Sequence, residues 1–451
     1  MKSGVCAGLL GVALAGCGGS EDPVSHPNVV LVVVDTLRMD HTNLGDYGRP
    51  TTPFLAKLVA DGATSLPHVR AAAPWTKPSV ASLFTGLAPG AHGVLEHPDR
   101  LHSAHRTLAE AYQAGGYQTA GFQTNVLLSS VFGYDQGFDT YNEDHLATHE
   151  HSTGAALNTA VATWLDDDLD GDEPFFLYVH HFEPHFEYLR SGEEWGGSYD
   201  GRLTGAEKMD QLIAVTDQME APDVEFLVDR YDAEVRYQDQ LLAELWASFG
   251  ERGLQENTIL VVTSDHGEEF KDHGQLSHQY TLFDELVRVP LVVLAPNLEP
   301  YSPIGHYQSL SNQSLSNLGA SLLDWSELEH DFPGANFDET PGDPAVVSSS
   351  VCWNADGEKG LRHSIVTRGF KLIRTEGFGA DEATLELYHL RSDKPELMDL
   401  VPTIPQFAES LNRELTEALA KQAALGPIGL EPESFTPTEE TLKRMAELGY
   451  L

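Results

Sequence analysis

Short apolar runs alternate with stretches of helical periodicity along the first two thirds of the chain. The clearest run, NVVLVVVD, is almost entirely β-branched, which is typical of a strand buried on both faces in a parallel sheet. Such runs predict strands at 28–35, 117–124, 175–182, 258–267 and 289–296. The periodic stretches predict helices at 52–61, from Thr76 onward, and at 107–116, 204–219 and 223–250. This alternation predicts an α/β fold with a doubly wound, mostly parallel sheet.

The pattern changes after residue 335, where the loop DETPGDP precedes a different arrangement of elements. Residues 363–375 and 383–390 predict two strands joined by a Gly-containing turn, and 407–421 predicts a helix. We therefore expect a smaller α+β subdomain that carries an antiparallel sheet. The predicted division is 28–335 for the main domain and 336–451 for the C-terminal subdomain.

The final segment, TPTEETLKRMAELGYL, predicts one more helix with a capping box at its start. In this interpretation Thr436 is the cap, Pro437 lies in the first turn, and the Glu439 side chain reaches back to the cap.

The N-terminal segment has the features of an export signal. Lys2 precedes a short apolar run and the small residues LAGCGGS, with Cys17 directly after the run. This order resembles a bacterial lipoprotein signal, in which the cysteine carries lipid; an uncleaved anchor or a chance cysteine is the alternative. We expect a signal peptide at 1–16, a flexible tether at 17–27, and a lipid-anchored protein of the bacterial periplasm, outer membrane or cell surface. No other stretch of the sequence is apolar for long enough to span a bilayer.

The chain is strongly acidic, with 69 Asp and Glu against 27 Lys and Arg and a formal net charge of −42. Such a surface repels nucleic acid, so we expect no nucleic-acid partner. An anionic substrate would need a local positive centre, such as a metal ion or a helix N-terminus.

The three cysteines predict no intrachain disulfide. Cys6 lies within the predicted signal and Cys17 would carry lipid, which leaves Cys352 without a partner. Stability is therefore expected to come from the apolar core.

Polar residues stand directly after several of the predicted strands. Asp35 ends the first strand, Asp265 and His266 end the fourth, and His185 lies just beyond the third. Each has an ordinary interpretation, because an Asp after a strand often caps a helix and a loop His is usually solvated. Together, carboxylates and imidazole at neighbouring strand ends predict a site for a divalent cation.

Several longer motifs follow one another in a fixed order. They are NVVLVVVDTLRMDH, PSVASLFTGLAPGAHGV, TSDHGEEFKDHG, DELVRVPLVV, ELYHLRSDKPELMDL and the final LGYL. In this order they resemble the sulfatase family of the alkaline phosphatase superfamily, and the resemblance runs from about Asn28 to Leu451. It implies an ester hydrolase with a large α/β domain and a small C-terminal domain that carries an antiparallel sheet.

The resemblance also implies one divalent metal ion. By matching positions, its ligands would be Asp35, Asp265, His266 and the nucleophile, Thr76. The family's second Asp after the first strand is Thr36 here, so one carboxylate is missing. The Asp–His pair is similar to that of the superfamily's phosphonate and phosphate diesterases. The resemblance suggests Ca²⁺, with Mn²⁺, Mg²⁺ and Zn²⁺ as alternatives.

The nucleophile position departs from the family pattern. Sulfatases carry Cys or Ser followed by x-Pro-x-Arg, and that residue is oxidised to formylglycine; this chain has Thr76, and Val80 in place of the Arg. Threonine is not a known substrate of that oxidation, and Cys352 lacks a Pro two residues later. The family's Lys-x-His is also missing, with Thr124 and Asn125 in the equivalent stretch.

Thr76 is nevertheless the predicted nucleophile. We expect it to start a helix as the N-cap, where free amides, the helix dipole and the metal would lower the hydroxyl pKa and hold a tetrahedral anion. Threonine nucleophiles occupy this position in the superfamily's phosphodiesterases and phosphoethanolamine or phosphoglycerol transferases. The alternative is that Thr76 only caps the helix.

Three further residues are predicted to act on the substrate. His185 matches a Pro-His substrate-binding position, and His278 matches the Lys or His that contacts a sulfate or phosphate oxygen. Either histidine would protonate the leaving group. Lys77 would add charge beside the anion or point to solvent. Other histidines near these motifs are expected to have structural roles, namely His273, His180 and His181.

The sequence leaves three functions open. The first is a hydrolase of sulfate, phosphate or phosphonate esters of a small molecule, glycan or lipid, acting through Thr76 without formylglycine. A threonine ester has no hemiacetal to collapse, so its second step needs attack on the central atom, which favours phosphorus over sulfur. The second is a phospho-group transferase on lipid or glycan, and the third is a degenerate member that binds an anionic glycan without turnover. The oligomeric state is also open.

Overall fold

The computed structural model describes residues 26–146, 153–169, 171, 173–195, 199–295, 312–337, 344–353, 358–379, 382–426 and 437–447. The predicted signal peptide, Cys17 and Thr436 lie outside these residues. The described strands are β1 Asn28–Val34, β2 Thr64–Ser65, β3 Val69–Arg70, β4 Gln118–Gln123, β5 Thr140–Asn142, β6 Phe175–His181, β7 Thr258–Ser264, β8 Glu269–Phe270, β9 Leu276–Ser277, β10 Arg288–Val289, β11 Leu291–Leu294, β12 Gln313–Ser314, β13 Val346–Trp353, β14 Lys359–Thr367, β15 Phe370–Gly377 and β16 Thr384–His389. The described α-helices are α1 Pro53–Ala60, α2 Thr76–Thr85, α3 Pro89–His92, α4 Leu108–Ala114, α5 Gly154–Asp167, α6 Met209–Val215, α7 Ala221–Glu251, α8 Asp284–Val287, α9 Leu318–Trp325, α10 Pro405–Ala423 and α11 Glu439–Glu447.

A seven-stranded sheet forms the centre of the main domain, in the order β2-β11-β7-β1-β6-β4-β5. β1 pairs in parallel with β6 and β7, and β4 pairs in parallel with β5 and β6. β11 runs antiparallel to both β7 and β2. The predicted mostly parallel α/β sheet is therefore confirmed, with its predicted fifth strand in the opposite direction to the others.

β1 is buried on both faces of this sheet, as its sequence predicted. Successive side chains of a strand point to opposite faces, so alternate residues enter two different cores. Full burial of a Val or Leu side chain contributes about 1.5–3 kcal/mol. The residues in one core are Val29, Leu31 and Val33, and those in the other are Val30, Val32 and Val34.

Most predicted helices are present with slightly shifted ends, but one predicted helix is too long and several helices were missed. The prediction at 204–219 shortens to α6 and one 3-10 turn, because the backbone N–H groups of Thr204 and Gly205 donate instead to the Glu207 carboxylate. α5 and α9, together with the single-turn helices α3 and α8, had no counterpart among the predicted elements. Among the helices of the described residues, none combines the length and the hydrophobicity that a bilayer crossing requires.

The C-terminal part carries a separate four-stranded antiparallel sheet, in the order β13-β14-β15-β16. This confirms the predicted antiparallel sheet but corrects its strands, because residues 363–375 contain a hairpin. Arg368 and Gly369 both have positive φ, 55° and 75°, as in a two-residue type I′ turn, and Thr367 pairs with Phe370. β13 was not predicted. α10 packs against this sheet.

The last described helix, α11, packs against the main domain although its sequence lies within the predicted subdomain. Met445 is buried in the same core as the 3-10 helix Val126–Leu128. The hydroxyl of Thr438 accepts a hydrogen bond from the N–H of Thr441 at 3.1 Å, and the helix begins at Glu439. The capping position is therefore Thr438, two residues later than predicted.

Candidate active site

Asp35 and Asp265 come together because they follow adjacent parallel strands. β1 and β7 pair in register up to Val34 and Ser264, so the next residue of each strand lies at the same edge of the sheet. Asp35, Asp265 and His266 are all fully buried. The structure thus places the three predicted strand-end ligands in one buried cluster.

Each of these aspartates has one carboxylate oxygen that accepts no hydrogen bond. Asp35 Oδ2 accepts from Asn125 Nδ2 at 2.7 Å, whereas its Oδ1 accepts none. Asp265 Oδ1 accepts from the backbone N–H groups of Thr36 and His266, at 3.3 and 2.9 Å, whereas its Oδ2 accepts none. Buried carboxylate oxygens without partners are costly, and a cation is the group that would satisfy both.

His266 turns its Nε2 toward the same two oxygens. Its Nδ1 donates to the Gly267 carbonyl at 2.8 Å, and since a carbonyl only accepts, Nδ1 carries the proton of the neutral ring. Nε2 lies 3.6 Å from Oδ1 of Asp35 and 3.5 Å from Oδ2 of Asp265. Burial, helped by His278, lowers the pKa of His266 to about 3, so the ring presents a lone pair near neutral pH.

Thr76 is the first residue of α2 rather than its N-cap. Trp75 is the capping residue, and no side-chain hydrogen bond caps the helix. The hydroxyl oxygen of Thr76 lies 3.3 Å from Nε2 of His266 and 3.5 Å from Nδ2 of Asn125. The predicted capping role is therefore wrong, and so is the alternative that Thr76 only caps the helix. The hydroxyl instead faces the cluster at the strand ends.

α2 holds Thr76 in a fixed position because it is anchored at both ends. All of its residues are buried. Near its start, Ser79 Oγ donates to the Asp265 carbonyl at 2.6 Å and ties the helix to the end of β7. At its end, Gly86 adopts φ 68°, and a side chain there would collide with the Pro333 carbonyl.

Asn125 is a site residue to which the sequence assigned no role. Its side-chain oxygen accepts from the N–H of Leu127 at 2.9 Å and caps the 3-10 helix Val126–Leu128. This contact fixes the amide so that Nδ2 donates to Asp35 and faces Thr76. The sequence did contain one sign of this role: Asn125 follows a predicted strand directly and lies where the family has its Lys-x-His.

His180 and His181 end β6 but face opposite sides of the sheet. Nε2 of His180 lies 3.4 Å from Oδ2 of Asp35, and its Nδ1 contacts the Tyr178 hydroxyl at 2.8 Å. One donor atom each from His180 and the two strand-end aspartates lie within 4.8 Å of one another. His181 contacts Gln238 on α7. His180, predicted only to pack, therefore belongs to the cluster.

His278 and Glu268 form a buried pair beside His266. Nδ1 of His278 lies 3.0 Å from Oε1 of Glu268, whose Oε2 accepts from the Tyr188 hydroxyl at 3.3 Å. The ring centroids of His278 and His266 are 4.5 Å apart. Burial raises the pKa of Glu268 to about 7 and lowers that of His278 to about 4. Glu268 was missed, although it lies within the TSDHGEE motif.

His185 extends this arrangement into a row of three imidazoles. Its Nδ1 donates to the Phe186 carbonyl at 2.6 Å, and its ring meets that of His278 edge-on with centroids 5.1 Å apart. Burial lowers the pKa of His185. The row runs from His266, next to Thr76, through His278 to His185.

Lys77 does not reach this row. Its ammonium donates to the backbone carbonyls of His97, at 2.6 Å, and Asp99, and lies 3.6 Å from the ring centre of Phe132. Burial lowers its pKa to about 7. One step along an α-helix rotates a side chain by about 100°, so the residue after Thr76 points elsewhere. The side chain fastens a neighbouring loop to α2, so the alternative that Lys77 points to solvent is wrong, and its contact with the substrate stays a prediction.

The two strand-end aspartates are buried side by side, so the charge of one affects the pKa of the other. Burial and the charge of Asp35 raise the pKa of Asp265 well above its ordinary value. Burial also acts to raise the pKa of Asp35. The charge of His185 and the hydrogen bond with His180 outweigh burial and hold the pKa of Asp35 below its usual range. Two negative charges at this site are therefore unfavourable without a cation between them.

His273 joins the loop after β8 to two other parts of the fold, in keeping with its predicted structural role. Its Nδ1 lies 2.5 Å from Oε1 of Glu285, and its Nε2 donates to the Glu396 carbonyl at 3.2 Å. Burial works to lower the pKa of His273, but the hydrogen bond and charge of Glu285 raise it to about 9.

We expect the protein's free energy of unfolding to decrease between about pH 6.5 and pH 9 because His273 deprotonates in this interval. The folded-state pKa of about 9 lies above the ordinary value of 6.5, so the stabilisation is complete below pH 6.5 and is lost as the pH rises through 9. Urea unfolding at three pH values across this range measures the slope. His273→Gln should flatten it, and an unchanged slope in the variant would contradict this account.

Solved structures of the alkaline phosphatase superfamily share this architecture. The phosphonate monoester hydrolase of Agrobacterium radiobacter matches it with a TM-score of 0.68 at 18% sequence identity, covering 88% of this chain and 96% of that one. Within this class, the sequence model of the Sulfatase family matches residues 27–328. The chain belongs to the sulfatase family, which confirms the resemblance seen in its motifs.

Two curated relatives differ in the reaction that their names describe. A low-salt glycan biosynthesis sulfotransferase of Haloferax volcanii is 27% identical over 300 residues, which cover 64% of this chain and 62% of that protein. An ulvan-active sulfatase of Formosa agariphila is 26% identical over 306 residues, which cover 62% of this chain and 58% of that protein. The chain spans about three fifths of the length of these two relatives.

Proposed function

We propose that this chain hydrolyses phosphate or phosphonate esters, and sulfate esters less readily, with Thr76 as the nucleophile and one divalent cation at the strand ends. The observation that carries the proposal is the position of the Thr76 oxygen, 3.3 Å from Nε2 of His266 at the N-terminus of a buried helix. Membership of the sulfatase family and the fold shared with a phosphonate monoester hydrolase support an ester hydrolase.

The donor atoms of the cluster fit a divalent cation. Nε2 of His266 lies 3.3–3.6 Å from the Thr76 hydroxyl and from the two carboxylate oxygens that accept no hydrogen bond. Two ligands bound at about 2.1 Å stand roughly 3.0–3.4 Å apart, which is close to this spacing. Because Ca²⁺ prefers oxygen ligands, the imidazole favours Mn²⁺ or Zn²⁺. When bound, such an ion would lower the hydroxyl pKa and offset the negative charge of the substrate.

The protein's own groups prepare Thr76 for attack. Asn125 holds its amide nitrogen 3.5 Å from the hydroxyl oxygen and orients it. The first amides of α2 lack helical partners, and together with the positive end of the helix dipole they would stabilise the oxygens of a tetrahedral anion. Oγ1 of Thr76 then forms a bond to phosphorus as the bond to the leaving oxygen breaks, and water cleaves the resulting threonine ester.

Two histidines of the row, His278 and His185, are available to move a proton, because Nδ1 of His266 already donates to Gly267 and its Nε2 faces the cation. His266 is adjacent to the hydroxyl, and the rings of His278 and His185 follow at centroid distances of 4.5 and 5.1 Å. Glu268 fixes Nδ1 of His278 and thereby the orientation of the ring. We assign to His278 or His185 the protonation of the leaving oxygen, and the hydroxyl proton of Thr76 passes to water.

A transferase is the second candidate, and the sulfotransferase of Haloferax volcanii is the observation that supports it. It would form the same threonine ester but pass the group to an acceptor hydroxyl instead of water. Product analysis separates the two, because a hydrolase releases the free anion and a transferase yields an acceptor adduct.

A panel of esters assayed with the metal-loaded full chain tests the proposal. We expect one bound Mn²⁺ or Zn²⁺ per chain, turnover of an aryl phosphonate monoester and an aryl phosphodiester, and slower turnover of an aryl sulfate. Mass spectrometry should find the peptide that contains Thr76 unmodified. Metal-loaded protein that hydrolyses none of these esters would overturn the proposal, and hydrolysis of the sulfate alone would reverse the preference for phosphorus.

A further inference from the structure

A cavity of about 850 Å³ lies between the segment that follows His278 and the C-terminal sheet. Its lining includes Tyr280 and Thr281, Trp353 of β13 and Tyr388 of β16. None of the described residues that line it belongs to the buried cluster around Thr76.

The edge of this cavity exposes large apolar side chains that the fold has not buried. Ile213 of α6 is 45% exposed, Trp353 is 38% exposed and Leu397 is 65% exposed. They come from three separate parts of the chain and converge on one opening. Apolar groups that gather in this way around a concavity are typical of a binding site.

Two charged side chains of the wall, His273 and Arg362, are already paired within the protein. His273 contacts Glu285 and the backbone carbonyl of Glu396. Arg362 donates to the Tyr280 carbonyl and, at 3.3 Å, to Thr375 Oγ1. The apolar surface that the cavity offers a ligand comes from the exposed side chains of Trp353, Leu397 and Ile213.

One short segment connects this cavity to the cluster around Thr76. The N–H of Gln279 donates to the Pro74 carbonyl at 3.2 Å, two residues before Thr76, and Ser350 Oγ donates to the Gln279 carbonyl at 3.1 Å. His278 on one side of Gln279 belongs to the histidine row, and Tyr280 on the other side lines the cavity.

We propose that this cavity binds the apolar part of the ester's leaving group, an aromatic ring or an alkyl chain. The inference rests on the proposed ester hydrolysis at Thr76 and adds the substrate class. An aromatic group would stack on Trp353 and Tyr280, and an alkyl chain would pack against Leu397 and Ile213.

The test compares methylphosphonate monoesters that differ only in the leaving group: 1-naphthyl, decyl, methyl and glucosyl. The full chain loaded with Mn²⁺ is assayed with Trp353→Ala and Leu397→Ser, both at exposed positions. We expect each variant to raise KM for the naphthyl or the decyl ester about five- to tenfold, with kcat unchanged, and to leave the methyl and glucosyl esters unaffected. The ester whose KM rises more, naphthyl or decyl, shows whether the leaving group of the natural substrate is aromatic or aliphatic.

Leu425→Ser is the matched control, because Leu425 is 59% exposed, follows α10 and does not line the cavity. It should change none of the four KM values. Equal effects on all four esters, no effect on any, or a larger effect on the glucosyl ester would each overturn the inference. If the unmodified protein hydrolyses nothing, the proposed function fails separately. Calorimetric titration with 1-naphthyl phosphate then tests the cavity as a binding site. Weaker binding to Trp353→Ala than to the unmodified protein supports the inference, and unchanged binding overturns it.

Discussion

Replacing Thr76 with alanine is expected to lower ester hydrolysis by roughly a thousandfold or more without unfolding the protein. The substitution removes the oxygen that lies 3.3 Å from Nε2 of His266 and would form the bond to phosphorus. Loss of the hydroxyl should cost little stability, because it accepts no cap hydrogen bond from α2. The measurement is kcat of the metal-loaded variant against an aryl phosphonate ester, with the thermal midpoint recorded in parallel.

Two further variants make this result specific. Thr76→Ser keeps a hydroxyl at the same position and should retain measurable turnover. Thr85→Ala is the matched control, because Thr85 is equally buried at the other end of α2 and its hydroxyl donates to the Ala81 carbonyl at 2.7 Å. It should retain kcat. Full activity in Thr76→Ala would show that another group attacks the ester.

Replacing Asp265 with asparagine is expected to raise the thermal midpoint of the metal-free protein while abolishing the stabilisation by added metal. The variant removes one of two adjacent buried carboxylates yet keeps an oxygen for the N–H groups of Thr36 and His266. Each 1 kcal/mol of relieved repulsion should raise the midpoint by roughly 1 °C in a chain of 451 residues, because the entropy of unfolding grows with chain length. A cation at a hundred times its dissociation constant stabilises the unmodified protein by about 2.7 kcal/mol, and the variant should lose most of this.

Thermal unfolding with and without Mn²⁺ measures both effects, and Asp239→Asn provides the control. Asp239 is also buried and also accepts from two backbone N–H groups, those of Phe54 and Leu55, but it lies on α7 outside the cluster. This control should keep the full response to metal. A metal-dependent shift that persists in Asp265→Asn would place the cation elsewhere.

Much of the fold could be predicted because the amino-acid composition of each strand reflects whether one or both of its faces are buried. The β-branched run of β1 indicated burial on both faces, and the strand-end positions of Asp35 and Asp265 indicated a shared edge of the sheet. The C-terminal hairpin was harder, because its turn depends on positive φ at Arg368 as well as at Gly369, and arginine gives no local sign of that conformation.

The remaining site residues depend on contacts between distant parts of the chain. Asn125 meets Asp35 across 90 positions of sequence, and Glu268 acts through His278 and Tyr188 rather than through its neighbours. Lys77 was assigned to the substrate because it follows Thr76, but helix rotation and the carbonyls of a separate loop determine where it points. Periodicity identifies elements, whereas such pairings require the folded arrangement.

The packing of α11 has a consequence for biosynthesis. Met445 lies against the 3-10 helix Val126–Leu128, and the cap of that helix is Asn125, which orients Thr76. A nascent polypeptide that has not yet released α11 from the ribosome lacks this support beneath the turn. Thr76 would therefore acquire its final surroundings only after α11 has been synthesised, and a product terminated before Glu439 would lack them.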